Sequence, residues 1–150
     1  MNKKRALVCG SSKGIGAATA IELSKLGVSI TLLARDEESL LHVLSKLDCA
    51  SNQNHSYLIA DFNDYGKLKN KIDDFVMKNP PIHILINNSG GPKPGSIIDA
   101  NTEDFLNAFT KHLICNHILV QALVPNMKKE NYGRIINYLP SPKQYFRFQY

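Results

Sequence analysis

The sequence predicts one α/β domain built on a doubly wound parallel sheet, and three observations carry that expectation. Short runs of Leu, Ile and Val alternate with amphipathic helical stretches along most of the chain. The first run, Ala6-Leu7-Val8-Cys9, leads directly into Gly10-Ser11-Ser12-Lys13-Gly14-Ile15-Gly16, and a helical pattern from Ala17 to Leu26 follows. Strand, glycine-rich turn and helix start, in that order, open a βαβ unit. A length of 150 residues and a hydrophobic content of 43% fit a single globular domain with a sizeable core.

Element by element, the path is a strand over 5–9, a helix over 15–26 and a strand over 28–34. A helix over 37–47, a strand over 56–60, a helix over 64–78 and a strand over 82–87 come next. Helical pattern covers 102–128, with allowance for a break, and a last strand covers 134–138. Ile21, Leu23, Leu26 and the alanines before them make a first helix that can lie close to a sheet, and Gly27 is placed to end it. Val28-Ser29-Ile30-Thr31-Leu32-Leu33-Ala34 is β-branched and apolar enough to be buried on both faces. Right-handed crossovers then give a Rossmann-type sheet in the order 3-2-1-4-5, with residues 1–137 as the domain and 138–150 as a divergent tail.

The glycine turn is suited to a pyrophosphate. Gly10 makes the tight turn, Gly14 lets backbone N–H groups approach the anion, and Gly16 lets the helix pack closely. A side chain at Gly14 is expected to intrude where the pyrophosphate meets the backbone. The helix start adds unpaired N–H donors and the positive end of its dipole. Where an acid at the end of the second strand would accept ribose hydroxyls, Ala34 stands instead, with Arg35 next. A guanidinium clamps a phosphate that a carboxylate would repel, and Lys13 supplies a second positive charge. The expected cofactor is therefore NADP.

At this point the residues resemble the short-chain dehydrogenase/reductase family. Gly10, Gly14 and Gly16 match its glycine pattern; Ser12, Lys13 and Ile15 fill the turn between them. Asp61-Phe62, after the strand-like Ser56 to Ala60, resembles the family's adenine-contacting acidic position. Asn87-Asn88-Ser89-Gly90 looks like its Asn-Asn-Ala-Gly, where amides hold the sheet and small residues border the ribose. Pro125-Asn126-Met127 with Gly133-Arg134-Ile135-Ile136-Asn137 resembles the end of the long helix and the strand leading to the catalytic serine. The resemblance implies an NADP(H)-dependent oxidoreductase acting on a carbonyl or alcohol. It also implies a homo-oligomer formed through the long helix near 105–127. Cofactor contacts fall on Gly10, Ser12, Lys13, Gly14, Ile15, Gly16, Arg35, Asp61, Phe62, Asn88, Ser89 and Gly90.

Departures from the family pattern bear on catalysis. The position of its structural and catalytic asparagine falls on His112, one turn before Asn116. Gly91-Pro92-Lys93-Pro94-Gly95 resembles a divergent Gly-Gly-Pro subgroup, 3-oxoacyl-reductase-like. Ser141 matches the active-site serine with a one-residue shift, and no Tyr-x-x-x-Lys pair follows it; Tyr145 is too near, and Gln149 stands where a lysine is needed. Against the family pattern the chain reads as C-terminally truncated and catalytically impaired, the strand near Ile135 becoming a sheet edge. The alternative reading is a non-catalytic nucleotide-binding module or pseudoenzyme subunit.

Other functions find little support. The formal charge of +5 is moderate, and the basic start Asn2-Lys3-Lys4-Arg5 has no aromatic interleaving, so no nucleic-acid partner is expected. The apolar run from Leu113 to Val124 is short and interrupted by Asn116, His117 and Gln121, so no membrane span is expected. Cys9, Cys49 and Cys115 suggest neither a disulfide framework nor zinc and fit a reducing cytoplasm. His112 and His117 point to different sides of a helix, so no metal is expected. His83 reads as a hydrogen-bonded core histidine, and Met127 as a packing residue. From Tyr138 to Tyr150 five of thirteen residues are aromatic and none is acidic.

Overall fold

A computed structural model describes residues 4–91 and 98–138. The chain alternates as expected: β1 (Arg5–Cys9), α1 (Gly14–Lys25), β2 (Ser29–Ala34), α2 (Glu37–Leu44), β3 (Ser56–Ile59), α3 (Tyr65–Lys78) and β4 (Ile84–Asn87). Next come α4 (Thr102–Phe109), a π-helical segment (Thr110–Ile114), α5 (Cys115–Lys129) and β5 (Arg134–Asn137). Among the described residues the strands form one parallel sheet in the order β3-β2-β1-β4-β5. That is the predicted order.

Strand periodicity divides the core into two layers. Successive side chains of a strand point to opposite faces. Leu7, Cys9, Leu33 and Leu85 therefore meet α3 and α5 through Leu68, Ile72, Phe75, Leu119, Leu123 and Met127. Ala6, Val8, Ile30, Leu32, Ile84 and Ile86 meet Ala17, Ala20, Leu40 and Val43 of α1 and α2 on the other face. The buried positions of α1 are Gly16, Ala17, Ala20 and Ser24, so this helix seats its backbone close to the sheet. Truncating a fully buried leucine such as Leu7 or Leu85 to alanine costs roughly 2–5 kcal/mol.

Local chemistry sets the element ends. Asp36 accepts from Ser39 N–H at the start of α2, Asp64 from Lys67 N–H at the start of α3, and Asn101 with Asp104 forms a capping box on α4. The second helix stops at Leu44, short of the expected 47, because Lys46 and Leu47 N–H turn back to the Val43 and Leu44 carbonyls in tight turns. Ser24 Oγ then accepts Asp48 N–H, and Gln53 Nε2 donates to the Ser24 carbonyl, fastening the connection into β3. The long helix does not break; it widens into the π segment and continues as α5. All of β5 is exposed, Ile136 by 54%, so it is the sheet's edge among the described residues. No described helix is long and apolar enough to cross a membrane.

His83 joins three strands at the opposite edge of the sheet from the strands' C-terminal ends. Its backbone N–H donates to the Arg5 carbonyl at 2.8 Å, and its carbonyl accepts from Arg134 N–H at 2.9 Å. Its ring Nδ1 accepts Arg5 N–H at 3.1 Å. A doubly protonated ring cannot accept that bond. Lys4 and Arg5, at the entry to β1, place their charges near the ring, Glu130 Oε2 lies 3.9 Å from Nε2, and the Tyr132 ring packs edge-on at 6.2 Å beneath Arg134. Burial, then the Lys4 charge, holds the imidazole pKa below its ordinary value of 6.5.

The unfolded chain therefore binds the extra proton first as pH falls through about 6.5, and stability rises with pH across that window. His83 stabilisation is present above 6.5 and is lost below it. The urea midpoint should be higher at pH 7.5 than at pH 5.5, and His83→Gln should reduce that difference while keeping an acceptor for Arg5 N–H. An unchanged difference in the variant would assign the pH dependence to other groups.

Candidate functional site

The glycine turn is built by crowding. A β-carbon at Gly16 would lie 2.3 Å from the Gly10 carbonyl oxygen and 2.8 Å from Asn88 Nδ2. One at Gly10 would lie 2.5 Å from the Asn88 carbonyl oxygen, and Gly10 also has φ +58°. Gly14 is different: a β-carbon there would meet no protein atom within 4 Å, and its φ of +60° is what favours glycine. Within the protein the crowding falls on Gly10 and on Gly16, the glycine expected to let the helix pack closely. Asn88 Nδ2 donates to the Cys9 and Gly10 carbonyls, each at 3.3 Å, tying the end of β4 to the turn. Buried Ser11 ties it to β2, accepting Leu33 N–H at 2.9 Å. Asn87 Nδ2 donates to Asn137 Oδ1 at 2.8 Å and links β4 to β5.

Beside this turn, at the C-terminal ends of the strands, lies a cleft of about 580 Å³. That is the position where open α/β sheets bind ligands. One wall is Gly10, Ser12, Lys13 and Ile15 from the turn and the α1 N-terminus. Leu33, Ala34 and Arg35 end β2; Ala60, Asp61, Phe62 and Asn63 follow β3; Asn88, Ser89, Gly90 and Gly91 follow β4. Lys111 and Tyr138 complete the lining. Ile15 is 52% exposed despite its apolar side chain. No acid stands in the first turn of α1, so nothing negative competes at the positive end of its dipole.

The charge of the lining is positive: Lys13, Arg35 and Lys111 against Asp61. Asp36, beside Arg35, is engaged as the α2 cap, and hydrogen bonds from Ser39, with the Arg35 charge adding, hold its carboxyl below the ordinary range. Asp61 Oδ1 accepts from Asn63 N–H and Nδ2 at 2.9 and 2.8 Å and shapes the turn after β3. Phe62 lines the cleft but is 9% exposed and packs chiefly into the core. Cys115 donates to the Phe62 carbonyl at 3.3 Å, and burial pushes its thiol up to about 11. Burial raises the Cys9 thiol as well, so both are packing groups rather than nucleophiles.

The sequence pattern of the family described as short chain dehydrogenase matches residues 4–139. The chain belongs to that family. An NADPH-dependent pterin aldehyde reductase from Arabidopsis thaliana is 31% identical over 132 residues, 87% of this chain and 54% of that protein. The L-sorbose reductase of Gluconobacter frateurii, solved with NADPH and L-sorbose, superimposes with a TM-score of 0.80 at 25% identity. The match covers 90% of this chain and 51% of that one. A short-chain dehydrogenase from Sphingobium yanoikuyae in complex with NADPH gives 0.77 at 26% identity, covering 88% and 51%. The chain spans about half the length of these relatives.

Within the family frame, Gly10, Ser12, Lys13, Ile15, Arg35, Asp61, Phe62, Asn88, Ser89 and Gly90 come together around the cleft, whereas Gly14 and Gly16 shape the turn without lining it. Ser141, Tyr145, Gln149 and positions 92–95 of the Gly-Gly-Pro loop lie outside the described residues. The spacing Tyr-x-x-x-Lys does occur at Tyr65 and Lys69, but these sit on α3, where Lys69 pairs with Asp73, and neither lines the cleft. Among the described residues no group of three or more His, Cys, Asp or Glu side chains could hold a metal ion. Sequence reasoning passed over Lys111, Asn63 and Tyr138. The strand ends signalled the last two, and no local pattern signalled Lys111, which a long helix brings in.

The two interior glycines of the turn should respond differently to alanine. At Gly14 only the left-handed backbone is penalised, about 1–2 kcal/mol. At Gly16 the turn itself must move, so the loss in denaturant-measured stability should exceed that of Gly14→Ala. Equal losses would remove the steric role assigned to Gly16.

Proposed function

We propose that this chain binds NADP(H) in the cleft and forms the cofactor-holding half of an oxidoreductase acting on a carbonyl or alcohol. The observation that carries the reading is the pairing of Lys13 and Arg35 in the lining with an Asp36 already committed to capping α2. A ribose phosphate there meets two cations, and the Asp36 carboxylate beside Arg35 is bonded to Ser39 N–H at the start of α2. The donor set fits the rest of the cofactor: crowded glycines and the α1 N-terminus suit a pyrophosphate, and Asp61 offers an acceptor to the adenine end. The NADPH-bound relatives support this choice of nucleotide.

A bound nicotinamide would supply or accept hydride; the chain's own part is to hold and orient it. Ser141 could hydrogen-bond a substrate oxygen, but no Tyr-x-x-x-Lys pair follows it in these 150 residues. Losing a positioned general acid lowers a rate by about a hundred- to ten-thousandfold. The purified 150-residue chain should therefore bind NADPH more tightly than NADH, with Arg35→Asp reversing that order, and consume no NADPH steadily with a panel of aldehydes and ketones. Tighter NADH binding to the unmutated chain would contradict the cofactor assignment. Robust turnover abolished by Tyr138→Phe or Tyr145→Phe would show that another tyrosine supplies the proton.

The same reading pairs two copies along the long helix. Leu106, Phe109 and Leu113 are 56%, 54% and 50% exposed, and their spacing puts them along one face. Sedimentation should give a dimer that Phe109→Lys with Leu113→Lys converts to a folded monomer. A wild-type monomer at high concentration would exclude this pairing.

A further inference from the structure

Ser89, in the cleft wall, is bonded to a side chain that does not itself line the cleft. Its Oγ lies 3.0 Å from His112 Nδ1. His112 sits in the π segment, where Asn116 Nδ2 donates to its carbonyl at 2.7 Å and fixes the backbone. π-turns inside α-helices concentrate at functional sites. This one also brings its neighbour Lys111 into the cleft lining. The remaining ring nitrogen, Nε2, is buried with no partner.

That unpartnered nitrogen discriminates between the two neutral forms of the ring. With the proton on Nε2, a buried N–H has no acceptor, and Ser89 must give its only hydrogen to Nδ1. With the proton on Nδ1, the ring donates to Ser89 Oγ, Nε2 keeps only a lone pair, and the Ser89 hydrogen stays available to the cleft. Buried donors without acceptors are rarer than acceptors without donors, which favours the second form. Burial, reinforced by the Lys111 charge, lowers the His112 pKa and keeps the ring neutral near pH 7. Asn88 Nδ2 donates to the Cys9 and Gly10 carbonyls and Ser11 is tied to β2, while Asn116 Oδ1, one turn on from His112, is an acceptor without a partner.

We infer that His112 is a positioning residue that donates from Nδ1 to Ser89 Oγ and so aims the Ser89 hydroxyl proton at an acceptor oxygen of the nucleotide in the cleft. This rests on the nucleotide-binding reading above. It gives the histidine at this helix position a role through Ser89, without contact to the ligand.

The first measurement needs no ligand. Imidazole 15N NMR of the free chain should show His112 protonated at Nδ1 and bare at Nε2. NADPH titration of the chain should then show Ser89→Ala weakening binding about three- to tenfold, the size of one hydrogen bond. His112→Leu should cost the same, and the double variant no more than either. His112→Asn, whose amide nitrogen can take the place of Nδ1, should restore affinity. An Nε2-protonated ring, undiminished binding by Ser89→Ala, additive losses, or a His112→Leu variant altered only in melting temperature would each overturn the inference alone. Failure of the unmutated chain to bind NADPH would overturn the nucleotide reading and the aim of the hydroxyl with it, whatever the ring tautomer.

Discussion

Where β1 ends, Gly10, Gly16 and Asn88 approach so closely that a β-carbon on either glycine would fall within 2.5 Å of a backbone oxygen. This contact decides where everything else can sit. It seats the start of α1 against the end of β1, and through the Asn88 amide it brings the end of β4 alongside. Ser11 brings β2 to the same turn. Three strand ends and a helix N-terminus are thus held around one point, and the cleft is the space they leave. The small residues of α1 belong to the same constraint, because a bulkier face would push the helix off the sheet.

Electrostatics then separates the cleft from an ordinary groove. Lys13 approaches from the glycine turn, Lys111 from the π segment and Arg35 from the end of β2, with Asp61 the acid of the lining. The neighbouring acid is not absent but occupied: Asp36 accepts Ser39 N–H and starts α2. One residue step along the chain therefore converts a position that could take a ribose hydroxyl into one that offers a guanidinium. The opposite edge of the sheet carries a different polar arrangement, with His83 neutral between Arg5 and Arg134. It ties together the entry points of β1, β4 and β5.

Much of this was legible in the sequence because it is local. The strand, the glycine turn and the α1 start are contiguous, and β2 to β4 follow the same apolar rhythm, so the sheet order, the turn and Arg35 could be read directly. The family resemblance supplied the lining positions after β3 and β4. Element ends were harder where side chains compete with periodicity: the apolar pattern runs on to Leu47, but tight turns end α2 at Leu44. Spacing gave Gly16 the close packing and Gly14 the approach of the phosphates, but it could not show which atoms crowd the turn. The structure puts the crowding at Gly10 and Gly16. Lys111 and the Ser89–His112 bond depend on the helical register of a long helix that widens at Thr110. A π-turn of that kind leaves no composition signal, although His112 itself was visible as a departure from the family pattern.

A crystal structure of this chain grown with NADPH tests the central claim most directly. The pyrophosphate should lie over the Gly10–Ile15 turn at the start of α1, with the ribose phosphate between Lys13 and Arg35 and the adenine beside Asp61. NADPH density elsewhere on the molecule, or a ribose phosphate turned away from both Lys13 and Arg35, would contradict it.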